Sequence, residues 1–236
     1  MSGIGRFLEL SVPTDDIQAS LEFYQRLGFT ELAVNDIRAH YYAVVTDGHY
    51  AIGLHADGFD EPALSFVLPD IAKHVRRLED MGHEFAFVEL GIDNFHEAGL
   101  CSPDGHLLRF MEARSFSPPP SDECSATAIG HSTEIALRCN DYYAAFTFWE
   151  VADFITDDDP VAAVDEREVM TLRAPGIVLG LRPGQRGREP ALRFAPRDID
   201  ATLDELKLRD IRGRRSGDAW VLTAPEGTQL MLDDTR

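Results

Sequence analysis

Cysteine is scarce in this chain: three in 236 residues, Cys101, Cys124 and Cys139. An odd set without metal-ligand spacing argues against a disulfide framework and a thiolate metal cluster, and it predicts a cytoplasmic protein. Long apolar runs are lacking too. No stretch approaches the roughly 18 apolar residues of a membrane span, and Met1-Ser2-Gly3-Ile4-Gly5 leads into a strand rather than a signal peptide. Basic residues are few, 22 Lys and Arg against 41 Asp and Glu, for a net charge of −19. The deficit is shared: 8 basic and 19 acidic residues in 1–115 give −11, and 14 and 22 in the remainder give −8. So acidic a surface repels nucleic acid and anionic membranes as partners, but it names no substrate.

What the chain does have is a repeat. Pro62-Ala63-Leu64-Ser65-Phe66-Val67-Leu68-Pro69-Asp70-Ile71 returns as Pro190-Ala191-Leu192-Arg193-Phe194-Ala195-Pro196-Arg197-Asp198-Ile199, six identities in ten at a spacing of 190 − 62 = 128. Three further matches keep the order: Ala51-Ile52-Gly53-Leu54-His55 with Val178-Leu179-Gly180-Leu181-Arg182, Phe23-Tyr24 with Phe148-Trp149, and Pro103-Asp104-Gly105 with Pro225-Glu226-Gly227. The chain reads as a tandem duplication.

Within each half one plan recurs. A strand near 7–12 is followed by a helix opening at Pro13-Thr14-Asp15-Asp16 and closing at Gly28, then by strands 41–46 and 50–55 around the hairpin signal Asp47-Gly48. The decapeptide restarts it: strand 62–68, helix 70–81, strands near 84–88, 95–101 and 106–112. The second half predicts strand 133–139, helix 141–150, strands 167–173 and 177–182, strand 191–195, helix 198–209, and strands 219–223 and 228–232. Ser117-Pro118-Pro119-Pro120-Ser121 marks an exposed linker. The expected organisation is a first domain over 1–115, a linker over 116–130 and a second, more divergent domain over 131–236. Each domain holds two β-α-β-β-β units. The class is α+β, four units paired two and two. The pseudo-dimer lies within one chain, itself a monomer or a homodimer.

Two segments carry a family resemblance. Val12-Pro13 through Leu21-Glu22-Phe23-Tyr24-Gln25-Arg26-Leu27-Gly28-Phe29, and Ser102-Pro103-Asp104-Gly105-His106-Leu107-Leu108-Arg109-Phe110, are similar to signatures of the vicinal oxygen chelate superfamily. That superfamily includes glyoxalase I, bleomycin-resistance proteins and extradiol dioxygenases. The resemblance implies curved mixed sheets forming cups, helices outside, and in the enzymes a divalent metal held by His, Gln or Glu. Aligned with the family's ligand positions, this chain has Phe7, Gly53, Ala63 and Arg109 in its first half, and Glu134, Gly180, Ala191 and Met231 in its second. One carboxylate in eight positions does not make a metal site, so no cofactor is predicted. A slip of two residues brings in Glu9 or His55.

Strand alternation sorts the side chains by face. It turns Phe7, Glu9, Ser11, Gly53, His55, Leu107, Arg109 and Met111 into the first cup, and Glu134, Ala136, Arg138, Gly180 and Arg182 into the second. The candidate ligand-binding residues are therefore Phe7, Glu9, His55, Arg109, Glu134, Arg138 and Arg182. Arg109 is either an anion anchor or the ion-pair partner of Glu9, which in turn is either its partner or a general base. His55 is a ligand group or a solvated strand-end histidine. Glu134 and Arg138 share a face, and the plain reading pairs them. Tyr24 and Trp149 read as core aromatics, Cys101 as a small buried residue, and the remaining histidines, His74 among them, as hairpin, helix-surface or loop positions. The expected function is metal-independent binding of a small organic molecule, of the bleomycin-resistance type. The alternatives are a metal-dependent glyoxalase-like lyase or isomerase, an extradiol-type dioxygenase, and a pseudoenzyme working through protein contacts.

Overall fold

The computed structural model describes residues 3–33, 40–57, 60–93, 95–113, 127–156, 169–184 and 189–234. The first half runs β1 (Arg6–Pro13), α1 (Ile17–Leu27), β2 (Thr30–Leu32), β3 (Tyr42–Thr46), β4 (Ala51–His55), β5 (Ala63–Leu68), α2 (Ile71–Asp80), β6 (Phe85–Glu89), β7 (Glu97–Cys101) and β8 (Leu107–Glu112). The second runs β9 (Ser132–Cys139), α3 (Tyr142–Val151), β10 (Met170–Ala174), β11 (Ile177–Pro183), β12 (Ala191–Phe194), α4 (Ile199–Leu208), β13 (Arg214–Ser216), β14 (Ala219–Thr223) and β15 (Gln229–Asp233).

The helix starts follow from single residues. Each of the four helices among the described residues is preceded by an aspartate whose carboxylate accepts a backbone N–H of the first turn. These bonds run from Ala19 to Asp16, Lys73 to Asp70, Ala144 to Asp141 and Ala201 to Asp198, each at 3.0 Å. Gly28 ends α1 with φ of 89°, a left-handed conformation that a side chain would strain.

The strands form two mixed sheets, in the orders β2-β3-β4-β1-β5-β8-β7-β6 and β10-β11-β9-β12-β15-β14-β13. The first is drawn from residues before 113 and the second from residues after 131. The β-α-β-β-β plan gains members absent from the sequence reading: the short strands β2 and β13, and a bridge at Ile155 facing Arg173. Three-residue strands carry too little alternation to be seen in sequence. The repeats occupy matching places. β5 pairs in parallel with β8, Ser65 opposite Arg109, and β12 with β15, Arg193 opposite Met231.

Packing divides the chain into two compact units, and β1 and β9 lend one end to each. One comprises Met1–Glu9, Ala63–Pro118 and Ala136–Arg188. In it α2 covers β7 and β8 with Ile71, Val75 and Leu78, and an aromatic cluster runs through Phe7, Phe66, Phe110, Phe154 and Trp149. Arg77 binds Asp153 at 2.6 Å, and Asp104 accepts the Asn140 N–H at 2.8 Å. The other unit comprises Leu10–Pro62, Pro119–Ile135 and Glu189–Arg236. There the Tyr24 hydroxyl donates to Glu226 Oε1 and the Ser20 hydroxyl to Oε2, both at 2.7 Å, and burial with the Glu226 charge raises the Tyr24 pKa well above its ordinary value. Asp104 and Glu226 are equivalent turn acids of the repeat, and each fastens a residue of the other half of the chain.

Three expectations change. His74 is not on a helix surface. It is 1 % exposed, because the apolar stripe Ile71, Val75, Leu78 carries it inward onto Phe110. Cys101, at the end of β7, is exposed. Cys124 and residues 114–126 of the linker region lie outside the described residues. Residues 127–130 form a turn in which Thr127 and Ile129 are buried and the Ala128 N–H donates to the Leu27 carbonyl at 2.8 Å. Trp149 and Tyr24 are core residues, as read. No helix among the described residues is long and apolar enough to cross a membrane.

Candidate functional site

In the β5–β8–β7–β6 part of the first sheet, Leu64, Phe66, Leu108, Phe110, Ala98 and Leu100 are buried on the helix side. The opposite face carries a rung of four residues in register: Ser65 on β5, Arg109 on β8, Gly99 on β7 and Phe87 on β6. A Cβ on Gly99 would lie 2.2 Å from the Phe87 ring, so the missing side chain is what lets that ring cover the strand. The Arg109 guanidinium stands 5.4 Å from the Phe87 centroid, within cation–π range. Glu97, two residues before Gly99 and therefore on the same face, receives Arg109 Nε and Nη2 at 2.8 Å each. The pair is 12 % and 15 % exposed. It is a fixed, partly desolvated cation–anion pair backed by an aromatic ring, able to accept and donate hydrogen bonds side by side.

The β3–β4 hairpin makes a second cluster. Tyr42 and His55 are register partners with stacked rings, 5.5 Å apart and 5° from parallel. His40 Nε2 lies 3.0 Å from His55 Nδ1. His55 is fully buried, so the solvated strand-end reading is replaced: its ring is covered by Tyr42 rather than left at the sheet margin. In the second sheet Arg193 binds Asp233, donates weakly toward Met231, and stands 3.5 Å from Glu134.

The other candidates are placed as follows. Phe7 belongs to the aromatic cluster, edge-on to Phe66 at 5.6 Å, and Glu9 is buried at 3 % exposure. Arg138 donates to the Pro183 carbonyl and Arg182 to the Gly180 carbonyl, both at 3.2 Å. The expected Glu134–Arg138 pair gives way to Glu134–Arg193. Four residues along a strand span about 13 Å, too far for an ion pair, whereas Arg193 reaches Glu134 from another strand. Sequence reasoning missed His40, Tyr42, Phe87, Glu97, Arg193 and Asp233 as members of these clusters. Gly99 inside a strand was the available signal, since a strand glycine marks close approach by a neighbour.

The implied metal does not fit the residues at the aligned positions. Of the aligned positions, Arg109 is a guanidinium paired with Glu97, Met231 faces Arg193 across the equivalent rung, and Glu134 is the one carboxylate, 3.5 Å from Arg193. Among the described residues no three His, Cys, Asp or Glu side chains form a group able to hold a metal ion.

Comparison with known proteins agrees on the fold. Residues 4–99 match the family model of the Glyoxalase/Bleomycin resistance protein/Dioxygenase superfamily. No curated protein sequence matches the chain. A homoprotocatechuate 2,3-dioxygenase from Arthrobacter globiformis has a similar structure, with a TM-score of 0.66 and 13% identity over 98% of this chain and 80% of that one. An Mn(II)-bound glyoxalase from Novosphingobium aromaticivorans gives 0.59 and 16% over 98% and 82%, and a catechol 2,3-dioxygenase 0.59 and 15% over 98% and 88%. At such identities the likeness is one of fold. Residues 4–99 thus resemble the Glyoxalase/Bleomycin resistance protein/Dioxygenase superfamily in sequence, and the chain as a whole shares its fold with these solved structures.

Proposed function

We propose that this chain binds a small organic molecule on the face of its first sheet turned away from the helices, without a divalent metal, in the cytoplasm. The observation that carries the reading is the rung Ser65–Arg109–Gly99–Phe87 with Glu97. A guanidinium at that position takes over part of what a metal does for substrate oxygens, offering fixed positive charge to a carboxylate, amide or enolate oxygen. Glu97 holds the guanidinium in place and offers an acceptor beside it. Phe87 supplies an apolar wall for a planar ligand.

The test is a thermal-shift screen of small aromatic acids and amides, then calorimetry on the best compound with wild type and Arg109→Met. Loss of a charge-assisted contact weakens binding by about 1.5–3 kcal/mol, roughly ten- to a hundredfold. Unchanged affinity in a folded mutant removes Arg109 from the site. Elemental analysis of the purified protein tests the metal-free part. Near one metal per chain would turn the reading to a glyoxalase-like lyase or a dioxygenase, with Glu9, His55 and Glu134 the first ligands to substitute.

A further inference from the structure

A basic stretch of this acidic chain lies on a sheet edge. Residues 209–216 contain Arg209, Arg212, Arg214 and Arg215 against Asp210, a local charge of 4 − 1 = +3, so the rest of the chain carries −19 − 3 = −22. Among the described residues β13 is the terminal strand of its sheet and pairs with β14 alone. Every residue from Arg212 to Asp218 is exposed. Arg209 is engaged by Glu205 and by the Arg26 carbonyl. Arg212, Arg214 and Arg215 have no carboxylate partner among the described residues, and the one side-chain bond of Arg215 goes to the Gly217 carbonyl at 3.4 Å. Trp220, half-buried, is the register partner of Arg215 and shares its face. A Cβ on Gly213 would come 2.8 Å from Leu222, so the chain entering β13 runs close against the sheet.

We propose that β13 is a docking edge for a short, extended, acidic segment of a partner protein, added as an outer strand. An open edge offers backbone N–H and C=O groups to a further strand. Alternate residues of such a strand lie about 7 Å apart on one face, and Asp or Glu there meets the arginine of that face, Arg215 beside Trp220 or Arg214 opposite, in bidentate geometry. Charge sets the class of partner. A nucleic acid, with a charge about every 1.7 Å of duplex, runs past the three-residue edge onto surface of its own sign. A short peptide stays within the basic patch, and salt screens the rest of the protein beyond about 8 Å. The competing role for these arginines is to keep the edge from pairing at all.

The probe is a fluorescently labelled octapeptide of alternating Glu and Thr, followed by anisotropy and by Trp220 emission. Its controls are the Lys/Thr counterpart, a Glu/Thr peptide N-methylated at alternate backbone positions, and a thymidine octanucleotide. The Glu/Thr peptide is expected to bind at least about tenfold tighter than each control, and more weakly at high salt. Arg214→Gln/Arg215→Gln should reduce that binding about tenfold or more, and Arg212→Gln by a smaller factor. These side chains are exposed, so both variants should keep the wild-type melting temperature. Equal binding of the Glu/Thr and Lys/Thr peptides, or no loss in either variant, overturns the proposal and leaves the arginines as guards of the edge. Undiminished binding of the N-methylated peptide overturns strand addition. Tighter binding of the oligonucleotide overturns the choice of partner.

Discussion

His74 makes the unit built around α2 sensitive to acid, and the size of the effect follows from its surroundings. Its imidazole is 1 % exposed, packed 4.7 Å from Phe110, and neither ring nitrogen has a hydrogen-bond partner among the described residues. Burial, reinforced by the nearby Arg77 cation, lowers its pKa from 6.5 to about 4. Between those values the unfolded chain binds a proton that the folded protein refuses, so stability falls as pH drops. At 1.36 kcal/mol per pKa unit the full loss is about 3 kcal/mol below pH 4, of which about 2 kcal/mol falls between pH 7 and pH 5. The perturbation is His74→Leu, which keeps an apolar side chain of similar size on the stripe. The assay is urea denaturation of both proteins across pH 5 to 7. His83, whose pKa is also lowered by burial and Arg77, is present in both and cancels in the difference. The mutant should equal or exceed wild type at pH 7, because two unsatisfied nitrogens cost about 1 kcal/mol or more, and its advantage should grow by about 2 kcal/mol at pH 5. Parallel pH profiles for the two proteins would refute the reasoning.

Gly99→Ala should push the Phe87 ring off Arg109, since the new methyl would sit 2.2 Å from a ring carbon. It should weaken the ligand found by screening more than it lowers the melting temperature, and equal binding would detach Phe87 from the site. Tyr24→Phe strips a donor from Glu226 at a buried position, and denaturation should record a loss of about 1.5–3 kcal/mol. A neutral result would mean that the network re-forms through Ser20 alone. Cys101, exposed, should react with a maleimide in the native protein, whereas Cys139 should react only on unfolding. Burial, with Asp104 and Asp141 nearby, pushes the Cys139 thiol up to about 12, and peptide mass mapping distinguishes the two sites. Residues 1–115 made alone should melt well below the full chain, since Tyr24 then lacks Glu226, Arg77 lacks Asp153 and Phe66 lacks Phe154. An equally stable fragment would support two independent domains.

The sequence by itself determined the repeat and most of what is local. Four aspartates set four helix starts because a capping carboxylate needs only the next three residues. Alternation sorted side chains by face, Glu9 with Ser11 on one strand and Arg109 with Met111 on another, because strand parity is a property of the single strand. Tertiary structure alone decided partners. Arg109 meets Glu97 and Phe87, Arg193 meets Glu134 and Asp233, and His55 meets Tyr42, because each contact is set by register between strands that sequence does not order. The same holds for burial. His74 looked exposed by residue type, but its place on an apolar stripe and the sheet beneath it bury the ring. The packing of the chain into two units, each drawing on both halves, depends on side-chain contacts at separations of up to 206 residues, such as Ser20 with Glu226, which no local pattern encodes.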